Sequence, residues 1–197
     1  DTLSRLPKDQ RDSVSQVIVK GADYHNREFG SDGIGGKLGW YNPTCQLSRS
    51  SIYLDAADTR YSLEKTISHE SFHAFTVQKL LNPMQNYIEK GINDSKGYGK
   101  NMKKLLDLYT DSLNNDSSAF PTEYSRAFFG VIRNALIRSR GRMNITVMQA
   151  LTVGFMEYLA ELASELQTKG ASVANCSNAR LREAYSVMQD ILRAANA

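Results

Sequence analysis

Two histidines and a glutamate within five residues give the clearest chemical signal in the chain. His69, Glu70 and His73 fit the pattern HExxH. Residues four apart lie one above the other on a helix, so both imidazoles can face one Zn²⁺ ion, which imidazole nitrogens bind well. Glu70, about 100° further round the helix, is placed to accept a proton from a water molecule beside the metal. The spacing therefore predicts a zinc site with its own general base.

A helix over residues 62–81 is predicted to carry this motif. Apolar Ile67 and Phe75 belong to a series at helical spacing on both sides of the motif. Asn82-Pro83 predicts the end of the helix. The apolar neighbours indicate a buried helix, as a central metal-bearing helix requires.

A strand-like segment, residues 51–55, precedes this helix, and the two together resemble the zincin metallopeptidases. In that family an edge strand aligns the substrate beside the HExxH helix. The resemblance extends over residues 50–80. It implies one Zn²⁺ per chain, bound by His69 and His73, and hydrolysis of the peptide bonds of a protein substrate by zinc-bound water. Glu70 is the general base in this scheme.

A catalytic zinc site has three protein ligands and one open position. No histidine follows His73, so a carboxylate is expected, and Glu123 is the preferred residue. It begins a predicted helix after Pro121 and resembles the ligand glutamate of gluzincins, including toxin-type members. Two alternatives remain open. Glu157 lies in a stripe of glutamates four residues apart, which is typical of a solvated face, and Asp94 resembles the aspartate ligand of aspzincins at a slightly longer spacing.

Arg182 and Tyr185 form an RxxY pair on a predicted helix. The pair resembles that of clostridial-neurotoxin-like and some type III effector peptidases. This resemblance implies that the two side chains stabilise the oxyanion of a tetrahedral intermediate, although Tyr185 can equally belong to a core with Leu181 and Met188. The toxin-like segment around Glu123, together with the small size of the chain, implies a secreted bacterial effector or toxin peptidase.

The predicted fold class is α+β, with a small N-terminal sheet or hairpin and a mainly helical body that is zincin-like. One domain over residues 1–197 is expected, in which 61–197 is the helical part with the metal site and 1–60 holds the remaining elements. In chain order the patterns predict a helix over 7–22, a glycine-rich loop over 30–39, strands over 38–41 and 51–54, and later helices over 100–113, 121 onward, 146–169 and 178–194.

The composition is that of an ordinary globular protein, with 41% hydrophobic residues, 23% charged residues and a net charge of +3. No apolar run approaches the ~20 residues of a membrane span, so no such span is expected. Basic residues are scattered, so a nucleic-acid partner is not expected. Cys45 and Cys176 either form a disulfide or remain two thiols, and His25 is expected to be structural.

The predicted function is therefore that of a zinc-dependent endopeptidase. Two alternatives remain open. One is a non-catalytic binding domain with a structural metal or none, and the other is a zinc hydrolase that acts on a non-peptide amide. The substrate is not predicted, because subsites are built from residues distant in sequence.

Overall fold

The computed structural model describes residues 2–20, 39–43, 50–55, 62–139, 145–168 and 175–197. A π-helical segment, Thr76–Leu80, joins two of the helices, and short 3-10 turns occur at Leu3–Arg5 and Ser117–Ala119. The α-helices in these ranges are α1 (Lys8–Asp12), α2 (Leu63–Phe75), α3 (Leu81–Lys90), α4 (Tyr98–Asn115), α5 (Glu123–Arg138), α6 (Ile145–Thr168) and α7 (Ala179–Asn196).

The protein is mainly helical, and the prediction of an α+β fold is wrong. Helix accounts for 81% of the interpretable residues. Three short segments are paired: β1 (Gln16–Lys20) lies parallel to β3 (Ser50–Asp55), and β2 (Gly39–Pro43) lies antiparallel to β3. Among the side chains that the structure describes, the main hydrophobic core is built from α2 to α7 and the turn before α5. Since β3 is the middle segment, it is also not the edge strand that the zincin resemblance implied.

The predicted first helix over residues 7–22 is wrong over its second half. Helix α1 ends at Asp12, and residues 16–20 are extended in β1. The sequence of β1 contains Val17, Ile18 and Val19, and β-branched residues favour a strand because their side chains are restricted in a helix. Helical spacing of a few apolar residues was outweighed by this local preference.

The predicted helix end at Asn82-Pro83 is also wrong. The π-helical segment follows α2 directly, and Pro83 lies in the first turn of α3. A proline is tolerated in the first turn of a helix, and here it follows a π-helical turn, in which the Leu81 N–H donates to the Thr76 oxygen five residues back. The helix ends instead at Gly91, whose φ of 67° is left-handed and therefore favours glycine.

The four later helices begin and end within a few residues of the predicted positions. Thr122 caps α5, because its Oγ1 accepts a hydrogen bond from the Ser125 N–H at 3.0 Å. Asn178 caps α7 in the same way, through the Leu181 N–H at 3.0 Å. The predictions for the glycine-rich loop, His25 and Cys45 concern residues outside the described ranges, apart from Gly39 in β2. Cys176 donates a hydrogen bond to the Asn178 backbone oxygen at 3.5 Å.

The core is centred on α6, which packs against α2, α5 and α7. Its aromatic part joins α4, α5 and α6 and includes Tyr109, Phe120, Phe129 and Tyr158, with the rings of Phe120 and Phe129 stacked at 4.1 Å between centroids. Helix α6 is therefore the element against which the HExxH helix packs.

Among the described residues, none of the helices has the length and apolarity needed to cross a membrane.

Candidate metal centre

Two stripes of charged and polar side chains meet where α2 packs against α6. Each stripe has a spacing of four residues, so its members lie on one face of their helix. The first residue of one stripe contacts the last of the other, which shows that the two helices run antiparallel. We call this set the charged seam, and its members are Lys65, His69 and His73 of α2 and Glu157, Glu161 and Glu165 of α6.

Two imidazole nitrogens and one carboxylate group, each of whose oxygens faces a different imidazole, form a triangle at one end of the charged seam. The Nε2 atoms of His69 and His73 are 3.2 Å apart. Glu157 lies against both, with Oε2 at 3.2 Å from the His69 Nε2 and Oε1 at 3.2 Å from the His73 Nε2. Ligand atoms at about 2.0 Å from a tetrahedral zinc ion are about 3.3 Å apart, so the triangle has the dimensions of a zinc site.

The hydrogen-bonding pattern also fits a metal. Two N–H groups cannot point at each other, so at least one of the two close Nε2 atoms must present a lone pair. The Nδ1 of His69 lies 3.4 Å from Glu161 Oε1, which holds the proton on Nδ1 and leaves Nε2 of the neutral ring free to bind. A carboxylate behind a histidine is the common support of a metal ligand, because it fixes the tautomer and the ring orientation.

The net charge of the seam also favours a bound cation. With neutral histidines its formal charge is −2, from one lysine and three glutamates (1 − 3 = −2). Buried charges are unfavourable unless they are compensated, and a divalent cation at the triangle would offset the net charge of these six side chains. The donor set and the charge therefore both fit Zn²⁺.

Without a cation, protonated histidine compensates the carboxylates. Burial lowers the pKa of His69, but hydrogen bonds to Glu157 and Glu161 and the nearby charge of Glu70 outweigh it, so the pKa lies well above its usual value of 6.5. Burial raises the pKa of Glu157, but its hydrogen bonds to His69 and His73 hold that pKa well below the usual range. The carboxylates are thus ionised at neutral pH, as metal ligands must be.

Solvent reaches the triangle from the side of Glu157. The His69 and His73 side chains are 12% and 11% exposed, whereas that of Glu157 is 33% exposed. Glu70 follows His69 directly in the chain and is buried, and its charge contributes to the raised pKa of His69. The arrangement therefore combines shielded ligands with one accessible side.

A neutral polar cluster fixes α2 on the far side of the seam. Gln10 Nε2 donates to Ser71 Oγ at 2.8 Å and to the Ser68 backbone oxygen at 3.2 Å. Gln167 Nε2 donates to Gln10 Oε1 at 2.7 Å. Because these residues belong to α1, α2 and α6, the cluster sets the position of α2 along α6.

The structure brings Glu157, and not the preferred Glu123, to the two histidines. Glu123 is exposed in the first turn of α5, where its charge favours the helix N-terminus, and it is not a member of the metal-binding group found among the described residues. The glutamate stripe on α6 faces α2 instead of solvent, so the geometry favours the alternative Glu157 over Glu123 as the third ligand. A signal for this was present in the sequence: two stripes of equal spacing and opposite charge predict facing helices.

The other candidate residues lie elsewhere. The Asp94 carboxylate accepts the backbone N–H groups of Lys96 at 3.1 Å and Gly99 at 2.8 Å, and so shapes the turn before α4. Arg182 is exposed on α7, whereas Tyr185 is buried in the core and burial raises its pKa. The RxxY pair is thus divided between solvent and core.

Comparison with protein-family models, with curated proteins and with solved structures gives no match. The charged seam and the HExxH pattern are therefore the features of the chain that bear on its function.

Proposed function

We propose that this protein is a zinc-dependent peptidase whose metal ligands are His69, His73 and Glu157 and whose general base is Glu70. The observation that carries the proposal is the 3.2 Å triangle formed by two imidazole nitrogens and a carboxylate. Glu70 follows the first histidine directly, which is the position of the general base in the HExxH pattern.

The residues of the chain divide the chemistry among themselves. A bound Zn²⁺ would polarise the carbonyl of a substrate and lower the pKa of a coordinated water molecule. Glu161 keeps the Nδ1 proton of His69 in place, so that the opposite nitrogen faces the metal. Glu70 accepts a proton from the attacking water and later delivers it to the leaving amine.

The number of ligands distinguishes a catalytic site from a structural one. Structural zinc sites are usually closed by four protein ligands, whereas catalytic sites have three and an open position. The group found among the described residues has three members, which is the number of protein ligands that a catalytic site requires.

The first experiment compares zinc content in the wild type, Glu157→Ala and the matched control Glu123→Ala. We expect one zinc per chain in the wild type and in Glu123→Ala, and its loss in Glu157→Ala, with circular dichroism used to show that each variant is folded. Loss of zinc in Glu123→Ala, but not in Glu157→Ala, would identify Glu123 as the third ligand. A wild type that binds no supplied zinc would refute the metal site.

Hydrolysis is tested on a denatured protein mixture with Glu70→Gln as the second variant. Removal of a general base should lower the rate about 10²- to 10⁴-fold while zinc remains bound. A zinc-loaded wild type that cleaves no protein would refute the peptidase. If it hydrolysed small non-peptide amides instead, the metal site would stand with a different substrate class.

A further inference from the structure

Lys65 is a buried cation at the end of the seam opposite the metal triangle. Its Nζ donates to Glu165 Oε1 at 2.7 Å and to Glu161 Oε2 at 3.5 Å. All three side chains are less than a tenth exposed. A lysine is rarely buried to this extent unless it is paired, so its place in the seam calls for an explanation.

Glu161 connects Lys65 to the metal triangle because its two oxygens have different partners. Oε1 faces the Nδ1 of His69 at 3.4 Å, and Oε2 faces the Nζ of Lys65 at 3.5 Å and the Oγ1 of Thr122 at 3.4 Å. The plane of the carboxylate is therefore fixed from both sides. A rotation that broke the Lys65 contact would also move Oε1 away from His69.

We propose that Lys65 is a positioning residue for the metal centre: through Glu161 it orients His69 and thereby raises the affinity for the metal. The inference depends on the metal site of the proposed function, but not on peptidase activity. Without Lys65, the carboxylates of Glu161 and Glu165, one turn apart and both buried, would repel each other. Glu161 would then lose the contact that holds its second oxygen.

The expected size of the effect follows from other supported metal ligands. Loss of a carboxylate behind a ligand histidine usually weakens metal binding about 10- to 100-fold. The test variant is Lys65→Met with Glu165→Gln, which removes one positive and one negative charge and leaves the net charge unchanged. Glu165→Gln alone is the matched control, because Lys65 and Glu161 both remain.

The affinity for Zn²⁺ is measured by competition with a chelator, and the visible absorption spectrum of the Co²⁺-loaded protein reports the ligand geometry. We expect the control to stay close to the wild type. The double variant should bind about 10- to 100-fold more weakly and show an altered Co²⁺ spectrum. Glu161→Gln should give a similar loss, and adding it to the double variant should cause no further loss, since Lys65 acts through Glu161.

Unfolding in urea shows whether each variant is folded before its affinity is compared. If the methionine variant does not fold, Lys65→Gln with Glu165→Gln replaces it, and the same comparison with Glu161→Gln applies. Unchanged affinity and spectrum, or losses that add to that of Glu161→Gln, would overturn the inference. A wild type that binds neither ion would overturn the metal site as well, whereas absence of peptidase activity alone would refute only the proposed reaction.

Discussion

Helix α6 presents two chemically opposite faces to the rest of the protein. Towards α4 and α5 it buries aromatic side chains, among them Phe155 and Tyr158. Towards α2 it buries Glu161 and Glu165, with Glu157 at the more exposed end. One helix therefore carries both a large part of the core and three of the six residues of the charged seam.

The difference between the two faces lies in what each kind of contact specifies. Apolar burial is non-directional and scales with the area removed from water, so the aromatic face mainly stabilises the fold. The charged seam depends on distances between named atoms, and burial of its charges opposes part of the stability gained. We expect substitutions in the core to change folding and substitutions in the seam to change metal binding.

The largest expected loss of stability comes from the aromatic face. Phe129 is fully buried, stacks on Phe120 and contacts Tyr109 and Tyr158 edge-on. Phe129→Ala should lower the free energy of unfolding by about 3–5 kcal/mol, measured by urea denaturation. The zinc affinity of the folded variant should be that of the wild type. A large fall in that affinity would show that the two faces are coupled.

Removing the buried ion pairs of the seam should weaken zinc binding without lowering the stability of the fold. Lys65→Met with Glu161→Gln and Glu165→Leu replaces the buried ion pairs together, and such replacements are neutral or stabilise by up to about 4 kcal/mol. The metal-free protein should therefore unfold at an equal or higher urea concentration, while zinc binding weakens. Lys65→Met alone, which leaves two buried carboxylates, should instead destabilise by about 3–5 kcal/mol. Lower stability of the triple variant would show that the seam is a net stabiliser.

The polar contacts of Asp9, which lie outside both faces of α6, should contribute less to stability, and their contribution should depend on pH. Asp9 accepts hydrogen bonds from Lys96 Nζ and Tyr98 Oη, both at 2.8 Å. Burial raises the pKa of Asp9, but these hydrogen bonds outweigh it and the pKa lies below the usual 3.8. Because the folded-state pKa is lowered, the contribution to stability is present above pH 3.8 and is lost as the pH falls through the folded-state value.

Asp9→Asn should therefore lower the free energy of unfolding at pH 7 by about 1.5–3 kcal/mol, and the difference from the wild type should shrink towards pH 3. Urea denaturation at the two pH values measures this. The exposed Asp12 pairs only with surface cations, so Asp12→Asn is the control and should change stability little. An equal effect of Asp9→Asn at both pH values would contradict the assignment.

The smallest expected effect is at a helix terminus. Asn178 caps α7 and also donates to Asp116 Oδ2 at 2.9 Å. Asn178→Ala should destabilise by about 1 kcal/mol without affecting zinc binding, as measured by thermal unfolding. Asn178→Ser preserves a capping oxygen and should recover most of the loss. If serine were as unfavourable as alanine, the contact with Asp116 would be the dominant one.

Sequence was most informative where the relevant interaction is local. The spacing of His69 and His73 fixes their common face once a helix is assumed, and the structure places their Nε2 atoms 3.2 Å apart. The Thr122 cap is equally local. Such features depend on a few neighbouring residues and require no knowledge of the tertiary packing.

The predictions that failed concern interactions between distant segments or competing local preferences. The direction in which Glu157 faces depends on which helix packs against α6. The sequence of α6 alone does not show that this helix is α2. Residues 17–19, whose β-branched side chains favour a strand, pair with residues 52–54 of β3, which lie 35 positions later in the chain (52 − 17 = 35). Pro83 was expected to end a helix, but its effect depends on the π-helical segment that places it in a new first turn.

The antiparallel seam also has a consequence for the order of assembly. His73 and Glu157 are 84 positions apart in the chain (157 − 73), so a metal bridging them would close a long loop. The histidine pair forms with a single helix, whereas the carboxylate arrives only when α6 has docked. Zinc would thus bind the native chain far better than the unfolded one, and the unfolding midpoint should rise with the concentration of free metal.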